Sequence, residues 1–390
     1  MNAVPGNLPG SSEMALRAVA EVNLAAIERN AARLRDRIPP RTRLCAVVKC
    51  DGYGHGAVQS ARAALRGGAS VLAVATAAEA GELRQAGFDV PILVLGAISD
   101  EELPIAIAAG AELTVWNPAF VARLRAAAAA APAPIGLHVK LDTGLGRLGT
   151  RETGEALATV HAVLEARPAL RLAGVMTHFA TADGDRGFVA GQLEQFKPFV
   201  AEARALAPTD IVVHAANSPA ILRVPESHFD MVRAGIALYG ADPMNNDPAD
   251  HGLEPALALR SYVAAVKPIA PGQSTGYGRR FVAEHPGYIA TLPIGYGDGL
   301  VRALAGNCDA LIGGRRYPLC GMVSMDNITV DVGPEAVVVC GERATLIGTD
   351  GRERQTAEDL ARRAGTISYE VLCWISRRVP RFYHHDGRPA

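Results

Sequence analysis

The strongest constraint on how this chain folds is a rhythm in its apolar residues. Eight short apolar runs recur along the first two thirds of the sequence, at 44–49, 71–75, 91–95, 112–115, 136–141, 172–178, 211–215 and 229–233. Stretches between them, such as AAEAGELRQAGF and FVAGQLEQFKPFVAEARALA, space their apolar residues three and four apart, the period of an amphipathic helix. Runs that are apolar throughout suit parallel strands buried on both faces. Eight strand–helix pairs predict an α/β fold, a (β/α)8 TIM-type barrel. An open doubly wound sheet is the competitor. No GxGxxG follows the first run, so the dinucleotide-binding version of that sheet loses support. One amphipathic helix, 24–38, precedes the series, and RAAAAAAPAP reads as a helix end stopped by prolines.

Past residue 242 the pattern changes. PMNNDPADHGLEP has the composition of a linker. SYVAAVKPI, YIATLPIGYG, DALIGG, ITVDV and AVVVCGERATLIG follow as short β runs, with one helix at 356–363 before ISYEVLCWISRRVPRFY. The expected organisation is a disordered tail at 1–16, a barrel domain at 17–242 and a mainly β domain at 243–390.

Composition narrows the class of partner. The chain of 390 residues is 49% apolar and 20% charged with a net charge of −1, so neither nucleic acid nor an anionic membrane finds a basic surface. No run approaches the roughly 20 apolar residues of a membrane span. MNAVPGNLPGSSEMA has neither the basic nor the apolar region of a signal peptide, which predicts a cytoplasmic protein. The six cysteines form no CxxC pair, and most lie in apolar surroundings that suit buried free thiols. The histidines show no HExxH or other zinc spacing, so no metal is expected.

In a barrel, reacting groups collect at the C-terminal ends of the strands. The first run, in CAVVKCDGYGHGA, delivers Lys49, with Tyr53 just beyond. The fifth leads into KLDTGLGRLG with Lys140 and Arg147, and the sixth into THFATAD with His178. The seventh leads into HAANS with Asn217 and Ser218, and the eighth into VRAGI with Arg233, Gly235 and Ile236. Any one of these could be an ordinary core or surface residue. As a set on one rim they suit a phosphorylated aldehyde cofactor. The Ser218 hydroxyl and the amides near Gly235 and Ile236 can cradle a phosphate, while Lys49 can anchor pyridoxal 5′-phosphate (PLP) as a Schiff base.

AVVKCDGYGHG, KLDTGLGRLG, THFATAD, NSPA, VRAGIALYG, TGYGRRF, LPIGYGDG, GMVSMDN and ISYEVLCWISRRVPR resemble the motifs of alanine racemase, a barrel-type PLP enzyme, in order and spacing from about residue 17 to 383. The resemblance implies PLP as cofactor and interconversion of L- and D-alanine by two bases. It also implies a homodimer with shared active sites, supplying D-alanine for peptidoglycan. Under it, Lys49 forms the internal aldimine and serves as the base facing the D-enantiomer, and Tyr277 is the opposite base. Tyr53, Ser218, Gly235, Ile236 and Tyr369 match phosphate contacts, with Asn217 beside them. His178 lies against the pyridine ring and holds Arg233. Arg147 and the backbone of Met325 meet the substrate carboxylate, Lys140 falls where many members carry a carbamylated lysine, and Tyr296 and Arg302 line the entrance.

Ser324 stands where the family usually shows cysteine, and Gly297 where alanine is more usual, a change expected to loosen the entrance. Arg233, a guanidinium that does not give up its proton, leaves the pyridine nitrogen unprotonated and favours reprotonation over decarboxylation. That speaks against a decarboxylase, which places an acid at the nitrogen. The β domain carrying Tyr277 speaks against a non-catalytic single-barrel PLP protein. A racemase for serine or for a broader set of amino acids stays open.

Overall fold

The structure is a computed structural model, described here for residues 16–128, 131 and 133–390. The expected tail lies outside the described residues up to position 15, as do three positions of the alanine–proline stretch, 129, 130 and 132. The chain forms two compact units: Ile27–Glu254, and the described residues through Ala26 together with Pro255–Ala390.

Strand β1 (Ala18–Asn23) belongs to the second unit. In the first unit, β2 (Arg43–Val47), β3 (Val71–Val74), β4 (Ile92–Val94), β5 (Glu112–Val115), β6 (Ile135–Lys140), β7 (Leu170–Met176), β8 (Val212–His214) and β9 (Met231–Ala234) close a parallel barrel in sequence order. Closure sets β9 beside β2, with Cys45 opposite Arg233. An open sheet would leave those two edges unpaired, so the closed register excludes the doubly wound alternative. Every expected run became a strand, with ends shifted by at most two residues. The strands are buried on both faces, which is why they read as unbroken apolar runs instead of alternating ones.

Several helices start at side chains that answer the exposed amides of their first turns. Thr76 and Glu79 form a reciprocal capping box on Ala77–Gln85, Asn117 caps Pro118–Ala127, and Asp185 caps Arg186–Leu206. The helix expected over 24–38 spans Leu24–Asp36 and stops short of Pro39 and Pro40, whose rings cannot continue it.

The second unit is built on one large sheet. Its order is β11 (Ala265–Ile269), β14 (Gly287–Leu292), β17 (Ile328–Gly333), β16 (Arg315–Cys320), β15 (Asp309–Ile312), β18 (Arg343–Asp350), β10 (Leu257–Tyr262), β1, β20 (Arg381–His385) and β21 (Arg388–Pro389), with β19 (Glu353–Gln355) paired to β18. A separate hairpin joins β12 (Ser274–Thr275) to β13 (Phe281–Val282). Strand β1 was not anticipated. Its partners, at 257–261 and 381–384, come from the far end of the chain, and no local pattern reports such a pairing. The expected helix appears as Ala357–Ala364, capped by Thr356, and Ser368–Trp374 forms a second one.

All six cysteines are free, but only Cys45, Cys308 and Cys320 are buried, while Cys50 and Cys340 are exposed. Burial pushes the Cys45 thiol up to about 12 and those of Cys308 and Cys320 up to about 11, so these three stay protonated. No described helix is long and apolar enough to cross a membrane.

Candidate active site

Lys49 lies just beyond β2, half-buried, at the start of an unusual turn. Cys50, Asp51, Gly52 and Tyr53 take φ values of 54°, 51°, 61° and 53°, a run of left-handed conformation in which only one residue is glycine. Such a conformation costs an L-residue roughly 1–2 kcal/mol, so neighbours must hold it. The Cys50 amide donates to Glu79 Oε1 at 2.6 Å, the Ala57 amide to Asp51 Oδ1 at 2.9 Å, and the Gly52 amide to the Val48 carbonyl at 2.9 Å. The turn lets the chain reverse within a few residues. Lys49 stays at the strand end while the Tyr53 ring is buried 5.1 Å from the ring of Tyr239.

Across the barrel closure from β2, the ends of β8 and β9 gather a set of polar groups. Asn217 Oδ1 accepts from the Ala220 amide and starts Ser218–Arg223. The buried Ser218 Oγ accepts from the Gly235 amide at 2.9 Å and the Ala237 amide at 3.4 Å. Ile236 opens the short helix Ile236–Tyr239. Gly235 faces Tyr53 so closely that a Cβ there would sit 2.5 Å from the phenol oxygen. Tyr53, Ser218, Gly235 and Ile236, expected to share a phosphate, are thus brought together. Their donors are neutral hydroxyls and amides, which suit a phosphate cradle.

Arg233 is buried on the inner end of β9. Its Nη2 donates to His178 Nδ1 at 3.0 Å and to the carbonyls of Thr177 and Ala215, and its Nη1 donates to His214 Nδ1 at 2.7 Å. Burial, then the charges of Arg233, Lys140, Arg147 and Lys49, hold His178 well below the usual imidazole range. It is therefore neutral and able to accept. Burial also lowers Arg233 to about 10, which still leaves it charged at neutral pH. Lys140, at the end of β6, is pushed down to about 8 by burial and by Arg233 and Arg147, against the opposing pull of Asp142. Asp142 organises the next loop by accepting from the amides of Gly144 and Gly146, and this loop carries Arg147 at the surface.

In the second unit, Tyr277 follows Gly276, where a Cβ would meet the Met322 amide at 2.8 Å. The Tyr296 and Gly297 amides donate to the carbonyls of Ser324 and Met325 at 3.0 and 2.9 Å. One loop cluster thus carries Tyr277, Tyr296 and Met325, which are 73%, 42% and 52% exposed. Arg302 is exposed at the start of Arg302–Leu304, and Tyr369 is half-buried in Ser368–Trp374. Gly297 does not loosen its surroundings. The Arg378 guanidinium fills the space a Cβ would need, 2.6 Å from Nη2, on its way to Asp298 and Asp326.

The family model "Alanine racemase, N-terminal domain" matches residues 22–243, and "Alanine racemase, C-terminal domain" matches 256–383. The chain belongs to the alanine racemase family. The "Alanine racemase" of Nostoc sp. is 40% identical over 371 residues, covering 94% of this chain and 95% of that protein. "Alanine racemase 1" of Bacillus subtilis is 41% identical over 371 residues, covering 94% and 93%. Among solved structures, the alanine racemase of Streptomyces coelicolor A3(2) superposes with a TM-score of 0.91 at 38% identity, covering 96% of this chain and 99% of that one. The alanine racemase of Streptomyces lavendulae gives 0.90 at 39% identity, covering 94% and 97%.

Two supporting side chains of this alanine racemase are not among the expected site residues: Glu79, which holds the turn after Lys49, and His214, which holds Arg233. His214 left a signal: an imidazole at the end of an otherwise apolar strand, VVH. Glu79 left only a capping-box pattern, which reports on its own helix and says nothing of a neighbouring turn.

Proposed function

We propose that this chain interconverts L- and D-alanine with PLP held at the barrel mouth, between Lys49 and the polar groups of Tyr53, Ser218, Gly235 and Ile236. The observation that carries the reading is this pairing of a lysine at a strand end with neutral phosphate donors across the barrel closure. When bound, PLP supplies a conjugated ring that takes up the electron pair left as the substrate Cα loses its proton. Lys49 moves that proton on one face of the substrate. Tyr277 moves it on the other, and two groups are needed because one fixed side chain does not reach both faces. Arg233, which keeps its own proton, would face the ring nitrogen as a donor and not as an acid. His178 would lie against the ring and Asn217 beside the phosphate. Tyr369 would complete the phosphate contacts, while Arg147 and the Met325 amide would hold the substrate carboxylate.

The exposure of Tyr277, Tyr296 and Met325 on the β unit supports a shared site, in which these residues and Arg302 close over Lys49 of a second copy in a homodimer. A lowered Lys140 favours carbamylation, since only the neutral amine adds CO2, releasing a proton as the N–C bond forms. The carbamate then accepts from Arg147. The product serves D-alanine supply for peptidoglycan in the cytoplasm.

Purified protein should bind PLP and racemise L-alanine much faster than L-serine or L-lysine. Borohydride should fix the cofactor to the peptide bearing Lys49. Label on any other lysine, or PLP-loaded protein that leaves alanine unchanged, overturns the reading.

A further inference from the structure

A line of polar groups runs through the barrel interior from its floor to Arg233. On β5, the Glu112 carboxylate accepts from Arg171 Nη2 at 2.7 Å through Oε1 and from His138 Nε2 at 2.9 Å through Oε2. On β6, His138 Nδ1 lies 2.9 Å from His214 Nε2. On β8, His214 Nδ1 accepts from Arg233 Nη1 at 2.7 Å.

The direction of this chain is forced. A carboxylate only accepts, so His138 carries its proton on Nε2 and presents Nδ1 as an acceptor. His214 must then donate through Nε2, which leaves its Nδ1 lone pair for Arg233, a group that only donates. Both ends demand the same tautomer of both rings. Burial, then the charge of Arg233, holds His214 far below the usual imidazole range, in keeping with a neutral ring. Burial alone would raise Glu112, but His138 and Arg171 together hold it down at about 2.

Two glycines clear the path. His138 on β6 reaches His214 on β8 across β7, where its register partner is Gly174. A Cβ on Gly174 would lie 2.5 Å from His138 Nδ1. Likewise Glu112 on β5 reaches Arg171 on β7 across β6, where a Cβ on Gly136 would lie 2.8 Å from Arg171 Nη2 and 3.0 Å from Glu112 Oε1. Glycine weakens a strand, so its presence at both crossings marks the close approach.

We propose that Glu112 is a positioning residue: from the barrel floor it fixes the tautomers of His138 and His214, and through them the orientation of Arg233 toward the cofactor ring. The line does not conduct protons, because the guanidinium at its end keeps its own. It sets the hydrogen-bond demand on Arg233, and so the donor strength that the ring nitrogen meets. This last step rests on the reading that PLP occupies the mouth.

Nitrogen-15 NMR of histidine-labelled apoprotein tests the line without cofactor. His138 and His214 should both show the neutral Nε2–H tautomer at neutral pH, and Glu112→Gln should shift the His214 signals although the two residues do not touch. In PLP-loaded protein, Glu112→Gln should move the nitrogen-15 signal of the labelled pyridine ring and lower kcat about tenfold, with KM for alanine little changed, the scale on which outer hydrogen-bond partners act. Glu112→Asp, too short to reach His138, should do the same. A wild-type Nδ1–H tautomer or a charged imidazole at either histidine overturns the proposal. So do variants that leave the His214 and ring signals unmoved. If no PLP binds the wild type, the reading of the mouth fails instead, and the apoprotein tautomers alone decide the line.

Discussion

In the proposed reaction Tyr277 and Lys49 do opposite halves of one task, and their surroundings differ. Lys49 stands half-buried at a strand end, near enough for its charge to act on His178, whereas Tyr277 is largely exposed on its own unit. A general base or acid positioned at the reacting proton contributes about 10²–10⁴ in rate, so removing one hydroxyl is measurable on one face alone. Tyr277→Phe is expected to lower α-proton exchange of L-alanine in heavy water by about 100-fold or more. Exchange of D-alanine, through Lys49, should persist slowly and with retention. Equal loss for both enantiomers, in a variant that still binds PLP and alanine, would refute the division of labour.

At the scale of elements, the proposed cofactor site rests on two junctions: the left-handed turn after β2 and the polar ends of β8 and β9. They meet at one contact, Gly235 against the Tyr53 hydroxyl, where no Cβ fits. Gly235→Ala should therefore displace Tyr53 and weaken PLP binding about tenfold or more, read by titrating apoprotein with the cofactor. Adding Tyr53→Phe removes the oxygen that the new methyl strikes. If crowding is the cause, the double variant should bind PLP more tightly than Gly235→Ala alone. Unchanged PLP affinity in Gly235→Ala would show that the phosphate lies elsewhere. The turn itself depends on Glu79, whose carboxylate accepts from the Ala75 and Thr76 amides just before its own helix and from the Cys50 amide in the turn, so one side chain couples two elements.

At the scale of the whole molecule, the proposed site is shared between two copies, with Lys49 from one and Tyr277 from the other. Lys49→Ala and Tyr277→Phe proteins should each be inactive alone. Mixed and allowed to exchange subunits, they should regain up to about a quarter of wild-type activity. Half of a random mixture is hybrid dimer, and each hybrid has one site with both bases intact. Proven exchange without recovered activity would mean that each site is built within a single chain.

Much of this protein is legible in its sequence because the deciding signals are local. Each buried parallel strand reads as an apolar run wherever it lies, and eight in a row followed by helices leave few architectures. The strand ends then name Lys49, His178, Ser218 and Arg233 before any coordinates are seen, because barrel chemistry gathers at that rim. Tertiary structure decided the rest. Strand β1 pairs with segments more than two hundred residues away, and pairing at that range leaves no trace in a six-residue window. The same holds for the line from Glu112 to Arg233. Its members come from four strands, each contributing one polar group that alone could be a satisfied core residue. Only the closed register, with Gly174 and Gly136 at the crossings, sets those groups within hydrogen-bond distance, because contact across a barrel depends on strand alignment and not on order along the chain.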